Sequence, residues 1–145
     1  MAKIYLASPF FDVDGREETV HVKKAEEVLR ALGHEVFSPR ENQLPELEYG
    51  SFEWRTNVFR SDIKHIQWAD IVFAIVGDNY DDTGTSFEAG YAFGIGKPFM
   101  VFNPTGNIIN LMLTDSLHAY FEDWNEVARY DFNMLPIKPY MKPVK

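Results

Sequence analysis

The stretch Asp70-Ile-Val-Phe-Ala-Ile-Val-Gly77 constrains the fold more than any other part of this sequence. Its apolar residues do not alternate with polar ones, so as a strand it must be covered on both faces. Strands of that kind belong to parallel sheets packed between helices, and the flanking sequence supplies both elements. Ile4-Tyr5-Leu6-Ala7 reads as a first strand stopped by Ser8-Pro9, and Glu35 to Ser38 as a second ended by Pro39. Lys97-Pro-Phe-Met-Val-Phe102 reads as a fourth, with Pro98 at the first strand position, where a missing N–H is tolerated. Val22, Ala25, Leu29 and Leu32 recur at helical spacing and Gly33 closes that helix. Helices are expected over Phe52 to Trp68 and from about Ser86 to Gly94 or Ile95. After the Asn103-Pro-Thr-Gly106 turn, two more are expected, at about Ile108 to Leu113 and Ser116 to Ala128. The tail, with Pro136, Pro139 and Pro143, should be extended.

This order predicts an α/β, doubly wound, flavodoxin-like parallel sheet with helices on both faces, as one domain over residues 1–145. Ligands of such sheets lie beyond the C-terminal ends of the strands, which directs attention to Ser8–Phe11, Pro39–Gln43, Asp78–Glu88 and Asn103–Asn110. Composition narrows the function. With 46% hydrophobic and 25% charged residues the chain is neither disordered nor fibrous. A net charge of −8 opposes nucleic-acid grooves and anionic membrane surfaces. The chain has no cysteine, hence no disulfide, thiol nucleophile or thiolate metal site, which fits a cytoplasmic protein. The opening run, broken by Pro9, is too short for a secretory segment or a membrane span. Aromatic residues reach 15%, more than a small core needs, so some rings should face a ligand or a second subunit.

Two carboxylates invite chemistry. Asp62 shares an i, i+4 row with Val58 and Ile66, flanked by Phe59 and Ile63, so desolvation would raise its pKa toward neutrality. A stripe-edge aspartate that caps a neighbouring helix or pairs with Arg60 or Lys64 is the alternative. Glu88 closes Thr85-Ser-Phe-Glu, which fits a capping box in which the Glu returns to the N-cap amide. It also reads as an ionised carboxylate at a helix N-terminus on the ligand side of the sheet, suited to a nucleophile. The acidic run Asp78–Gly84 fails the calcium-loop template, because Gly90 stands where a bidentate Glu is required. His21, His34, His65 and His118 lack metal-ligand spacing, so no metal is expected. Gly90, Gly94 and Gly96 suit close helix packing better than a phosphate cradle, and no Walker pattern is present. A phosphorylation receiver would need acidic residues where Ser8-Pro9-Phe10-Phe11 stands.

Taken together, Ile4-Tyr-Leu-Ala-Ser-Pro-Phe-Phe11, Trp54 with Asp62, Asp70-Ile-Val, Asp82-Thr-Gly-Thr-Ser-Phe-Glu88-Ala-Gly-Tyr-Ala, Gly96-Lys-Pro and Asn110-Leu-Met resemble the nucleoside 2-deoxyribosyltransferases. The C-terminal stretch from His118 to Tyr140 resembles the shorter, type II-like members. Ala89-Gly90-Tyr91-Ala92 departs from a commoner Leu-Gly, an apolar change that leaves the chemistry intact.

The resemblance implies cleavage of the N-glycosidic bond of a 2'-deoxynucleoside and transfer of the deoxyribosyl group to another purine or pyrimidine base, without cofactor. It implies Glu88 as nucleophile, Tyr5 as the tyrosine that orients it, and Asp62 and Asp82 as carboxylates that contact the base and handle its proton. Phe11 and Trp54 match aromatic positions around the base, and Asn110 matches an asparagine lent by a neighbouring subunit of a homo-oligomer, usually a hexamer. Gln43, on a strand-end loop, and Met112, in the Asn110 motif, complete the candidate substrate contacts. In chemical terms, a retaining displacement needs one ionised carboxylate near C1' and a protonated one for the leaving base. Separate environments for Glu88 and Asp62 would divide those roles. A hydrolase of deoxynucleoside 5'-monophosphates is the enzymatic rival; it would use the same Glu88 and bind phosphate through Ser8 and nearby backbone amides, and against it the only cations near the strand ends are Arg16, Arg40 and Lys97. A non-catalytic nucleotide-binding domain is the rival of another class.

Overall fold

A computed structural model describes residues 1–10, 12–13, 16–17, 20–76 and 83–145. The candidates Phe11 and Asp82, and the acidic run from Asp78 to Asp82, lie outside the described residues.

Five parallel strands form the sheet: β1 (Lys3–Ala7), β4 (Glu35–Phe37), β5 (Ile71–Ile75), β6 (Phe99–Phe102) and β7 (Ala119–Phe121), in the order β4-β1-β5-β6-β7. That is the flavodoxin-like order, with the reversal between β1 and β5 where ligands of such sheets bind. A two-stranded antiparallel ribbon, β2 (Asp12–Val13) and β3 (Arg16–Glu17), follows β1. The helices are α1 (Val20–Ala31), α2 (Phe52–Trp68), α3 (Thr83–Gly94), α4 (Leu111–Thr114) and α5 (Trp124–Arg129).

The period-2 side-chain alternation of the strands divides the core into two layers. Ile4, Leu6, Ile71, Phe73, Ile75, Met100, Phe102 and Phe121 pack against Val22, Ala25 and Leu29 of α1 and Val127 of α5. Tyr5, Ala7, Val72, Ala74, Phe99 and Val101 pack against Ile66 of α2 and Ala89 and Ala92 of α3. Every residue of β5 is buried, as a strand covered on both sides requires. Tyr5 is the one buried polar-tipped residue in the central strands β1, β5 and β6, and it belongs to the layer beneath α2 and α3.

Two expectations fail beyond β6. Ser116 to Ala128 is not one helix. Ala119–Phe121 is a fifth strand and Trp124–Arg129 a separate helix, with the Asp123 side chain accepting from the Glu126 N–H at 2.9 Å. His118 donates to Phe99 O at 2.7 Å and Asn103 to Phe121 O at 2.8 Å, so neighbouring β6 draws Ala-Tyr-Phe into the sheet. The helix expected at Ile108 to Leu113 is instead the single turn α4, begun by Asn110, whose Oδ1 accepts from Met112 N at 2.8 Å. The tail is extended and pins itself to β7. Tyr120 N donates to Lys138 O at 2.9 Å and Lys138 N to His118 O at 3.1 Å.

Candidate active site

A cavity of about 530 Å³ opens at the C-terminal end of β1, between the faces of α2 and α3. Ser8 and Phe10 enter it from the end of β1, and Pro39 and Gln43 from the loop after β4. Helix α2 contributes two adjacent i, i+4 pairs, Val58 with Asp62 and Phe59 with Ile63. Helix α3 does the same with Thr83 and Phe87, and with Gly84 and Glu88. Helical spacing therefore places one carboxylate of each helix on the same cavity.

Beneath them, the Tyr5 hydroxyl donates a hydrogen bond to Glu88 Oε2. Burial, then the nearby charge of Glu88, then that of Asp62, pushes the Tyr5 phenol far above its usual range. Tyr5 thus remains a neutral donor at any working pH, and its coupling to both carboxylates ties the three into one cluster. Burial alone raises Asp62 to a pKa of about 7. The neighbours that α2 itself adds to the cavity wall, Val58, Phe59 and Ile63, are apolar, and Asp62 pairs with neither Arg60 nor Lys64. Near neutrality Asp62 therefore passes between acid and base forms, as a group that gives up and recovers a proton must.

The capping box expected at Thr85-Ser-Phe-Glu88 does not form. Helix α3 already begins at Thr83, so Thr85 lies inside its first turn, buried, and Glu88 is the sixth helical residue. Its carboxylate accepts from the Tyr5 hydroxyl.

Gln43 lines the cavity, and its side-chain amide turns back to donate to Pro39 O. Trp54 is not among the lining residues. Its indole N–H donates to Gln43 O at 2.7 Å and its ring tilts against Tyr49, so it stands behind the Gln43 wall. Asn110, the N-cap of α4, and Met112, within it, are exposed and are not among the lining residues. Sequence reasoning overlooked Phe87 as a lining residue and treated Phe59 only as a flank of Asp62. The two half-exposed rings face each other at 6.3 Å; Phe87 immediately precedes Glu88, and Phe59 immediately follows Val58, the i, i+4 partner of Asp62.

The nucleoside 2-deoxyribosyltransferase family model matches residues 4–125, which span β1 to α5 and every described member of this cluster. The chain belongs to that family. A 2-deoxyribosyltransferase from the psychrotolerant bacterium Bacillus psychrosaccharolyticus is 69% identical, covers 97% of this chain and 100% of its own, and superposes with a TM-score of 0.91. Two more distant structures share the fold of this deoxyribosyltransferase family member. A 2-desoxiribosyltransferase from Leishmania mexicana has 19% identity, 80% and 72% coverage of the two chains and a TM-score of 0.55. A CMP N-glycosidase from Clostridium botulinum has 17% identity, 88% and 95% coverage and a TM-score of 0.57. No curated protein sequence matches the chain.

Proposed function

We propose that residues 1–145, as one domain, transfer the 2-deoxyribosyl group between nucleobases of 2'-deoxynucleosides through Glu88. The observation that carries this reading is the Tyr5–Glu88 hydrogen bond under a cavity that Asp62, with a pKa of about 7, also lines. The 69% identical 2-deoxyribosyltransferase supports the same reaction.

In this reading Glu88 attacks C1' as a carboxylate while the bond from C1' to the base nitrogen breaks. Asp62, protonated by virtue of its desolvation, delivers its proton to the departing base; Asp82 is its candidate partner in contacting the base. An incoming base then gives up its N–H proton to Asp62 and takes the deoxyribosyl group from the Glu88 ester, with retention overall. Tyr5 fixes the attacking carboxylate and relieves the crowding of negative charge around it. Phe11, Trp54, Gln43 and Met112 are assigned to the base and sugar contacts, and Asn110 to a neighbouring subunit's site in a homo-oligomer, a hexamer by family resemblance. The protein then serves nucleoside salvage in the cytoplasm without a cofactor.

Two cations weigh against a 5'-monophosphate as substrate. Arg40 is engaged by Glu26 at 2.5 Å, and the Lys97 ammonium donates to Ala69 O at 2.7 Å. Chromatography of thymidine plus adenine, beside thymidine monophosphate alone, tests the reading. Deoxyadenosine and thymine are expected, with a loss of at least about 10³-fold in Glu88→Ala. Thymine from the monophosphate without any exchange product would overturn it in favour of the hydrolase.

A further inference from the structure

Glu26 is a buried carboxylate that the chemistry above leaves unused. It lies on α1, in the row of Val22, Ala25 and Leu29 that faces the opposite sheet layer from the cavity, and is 5% exposed. Around its two oxygens three donors converge. The Ser38 hydroxyl donates at 2.6 Å, Arg40 Nε at 3.1 Å and Arg40 Nη2 at 2.5 Å. Ser38 is fully buried and Arg40 partly so.

All three donors come from the segment that carries the cavity wall. Between Ser38 and Gln43 the chain makes a 3-10 turn, Pro39–Glu41, and both Pro39 and Gln43 line the cavity. Arg30, also on α1, grips the same turn by a two-pronged pair to Glu41 at 2.6 and 3.0 Å. Within the turn Asn42 Nδ2 donates to Ser38 O at 2.8 Å. Helix α1 thus holds the wall from behind.

The pair is costly as a source of stability. A carboxylate removed from water regains through its partner about what desolvation takes, and apolar replacements of similar volume are often neutral or stabilising. What an apolar residue cannot do is direct a planar guanidinium fork, and with it the backbone on either side. We propose that Glu26 is a positioning residue for substrate binding: through Arg40 and Ser38 it sets the Pro39–Gln43 wall against which the nucleoside is held. Glu26 touches no substrate. The inference rests on the cavity being the nucleoside site.

The test uses Glu26→Gln with Arg40→Met, which removes both charges yet leaves an acceptor for the Ser38 hydroxyl. Loss of a wall that binds ground and transition states alike raises KM and spares kcat. Thymidine and adenine KM are expected to rise about 5- to 10-fold with kcat within about twofold. Arg40→Lys, which keeps the charge but not the fork, should shift KM the same way by less, and it serves if the double variant does not fold. Thymidine binding by calorimetry in a Glu88→Ala background should weaken by the same factor. An unchanged dissociation constant, or a lowered melting temperature with KM unaltered, overturns the inference. A fall in kcat at constant KM does so too. Weakened binding in the double variant, with a wild type that transfers nothing, overturns the transferase reading alone, and no thymidine binding by the Glu88→Ala parent overturns both.

Discussion

Asp62 and Glu88 differ in how far the local sequence reveals them. Asp62 is legible because helix periodicity alone puts it among Val58, Phe59 and Ile63, and the same residues line the cavity in the structure. Glu88 is half legible. The helix was expected from about Ser86, but it starts at Thr83, which shifts Glu88 from the first turn into the second. The Tyr5 partner lies 83 residues away, and no local pattern encodes it. Two predictions belong at this scale. The alkaline limb of kcat/KM should fall with an apparent pKa near 7 and vanish in Asp62→Asn, read from a pH–rate profile. The same group sets a sign for stability. It is protonated in the folded chain and ionised in the unfolded chain between 3.8 and about 7. Its contribution is therefore complete below the lower value and lost as pH rises through the upper one. Denaturant midpoints at pH 5 and pH 8 should accordingly differ less in Asp62→Asn than in the wild type; an equal difference would remove burial as the cause. Tyr5→Phe keeps the buried ring and deletes only the donor, so about 10-fold should be lost from kcat with KM little changed.

At the level of elements, the sequence yields long patterns and hides short ones. The strands β1, β5 and β6 and the helices α1 to α3 are visible because three or more apolar residues repeat within each, β4 is visible because Pro39 ends it, and the two-residue strands of the β2–β3 ribbon carry no pattern at all. Ala119–Phe121 has three residues, too few for a period of 2 to stand out from the helical spacing around it. The overlooked signal is Asp123, an N-cap residue that announces a new helix at Trp124 and so ends the strand before it. Its carboxylate bond to Glu126 N, together with the bond from Glu122 N to Glu126 Oε2, closes the start of α5 from both sides. Asp123→Ala should therefore cost about 1 kcal/mol in urea unfolding, and Asp123→Asn only a few tenths. Equal losses in both variants would mean that the charge, rather than the cap, holds α5.

Across the whole molecule, some of the described candidates line the cavity and others do not, and that difference has a consequence. Tyr5, Gln43, Asp62 and Glu88 meet at one end of β1, whereas Asn110 begins α4 and does not line that cavity. Ile108, Leu111 and Met112 beside it are exposed apolar side chains. If Asn110 serves a neighbouring chain's cavity, each site is built from two chains, and defects in different chains can complement. Glu88→Ala and Asn110→Ser make a suitable pair, since serine still caps α4 but no longer carries the amide. Each variant alone should be inactive. Dissociated, mixed in equal amounts and reassembled, they should regain about a quarter of wild-type activity. Half the sites retain Glu88, and half of those face a chain that retains Asn110. The measurement is specific activity against mixing ratio, which should peak at equal parts. A flat line would place Asn110 in the service of its own chain or of none, because a residue that acts within its own subunit cannot be restored by a neighbour.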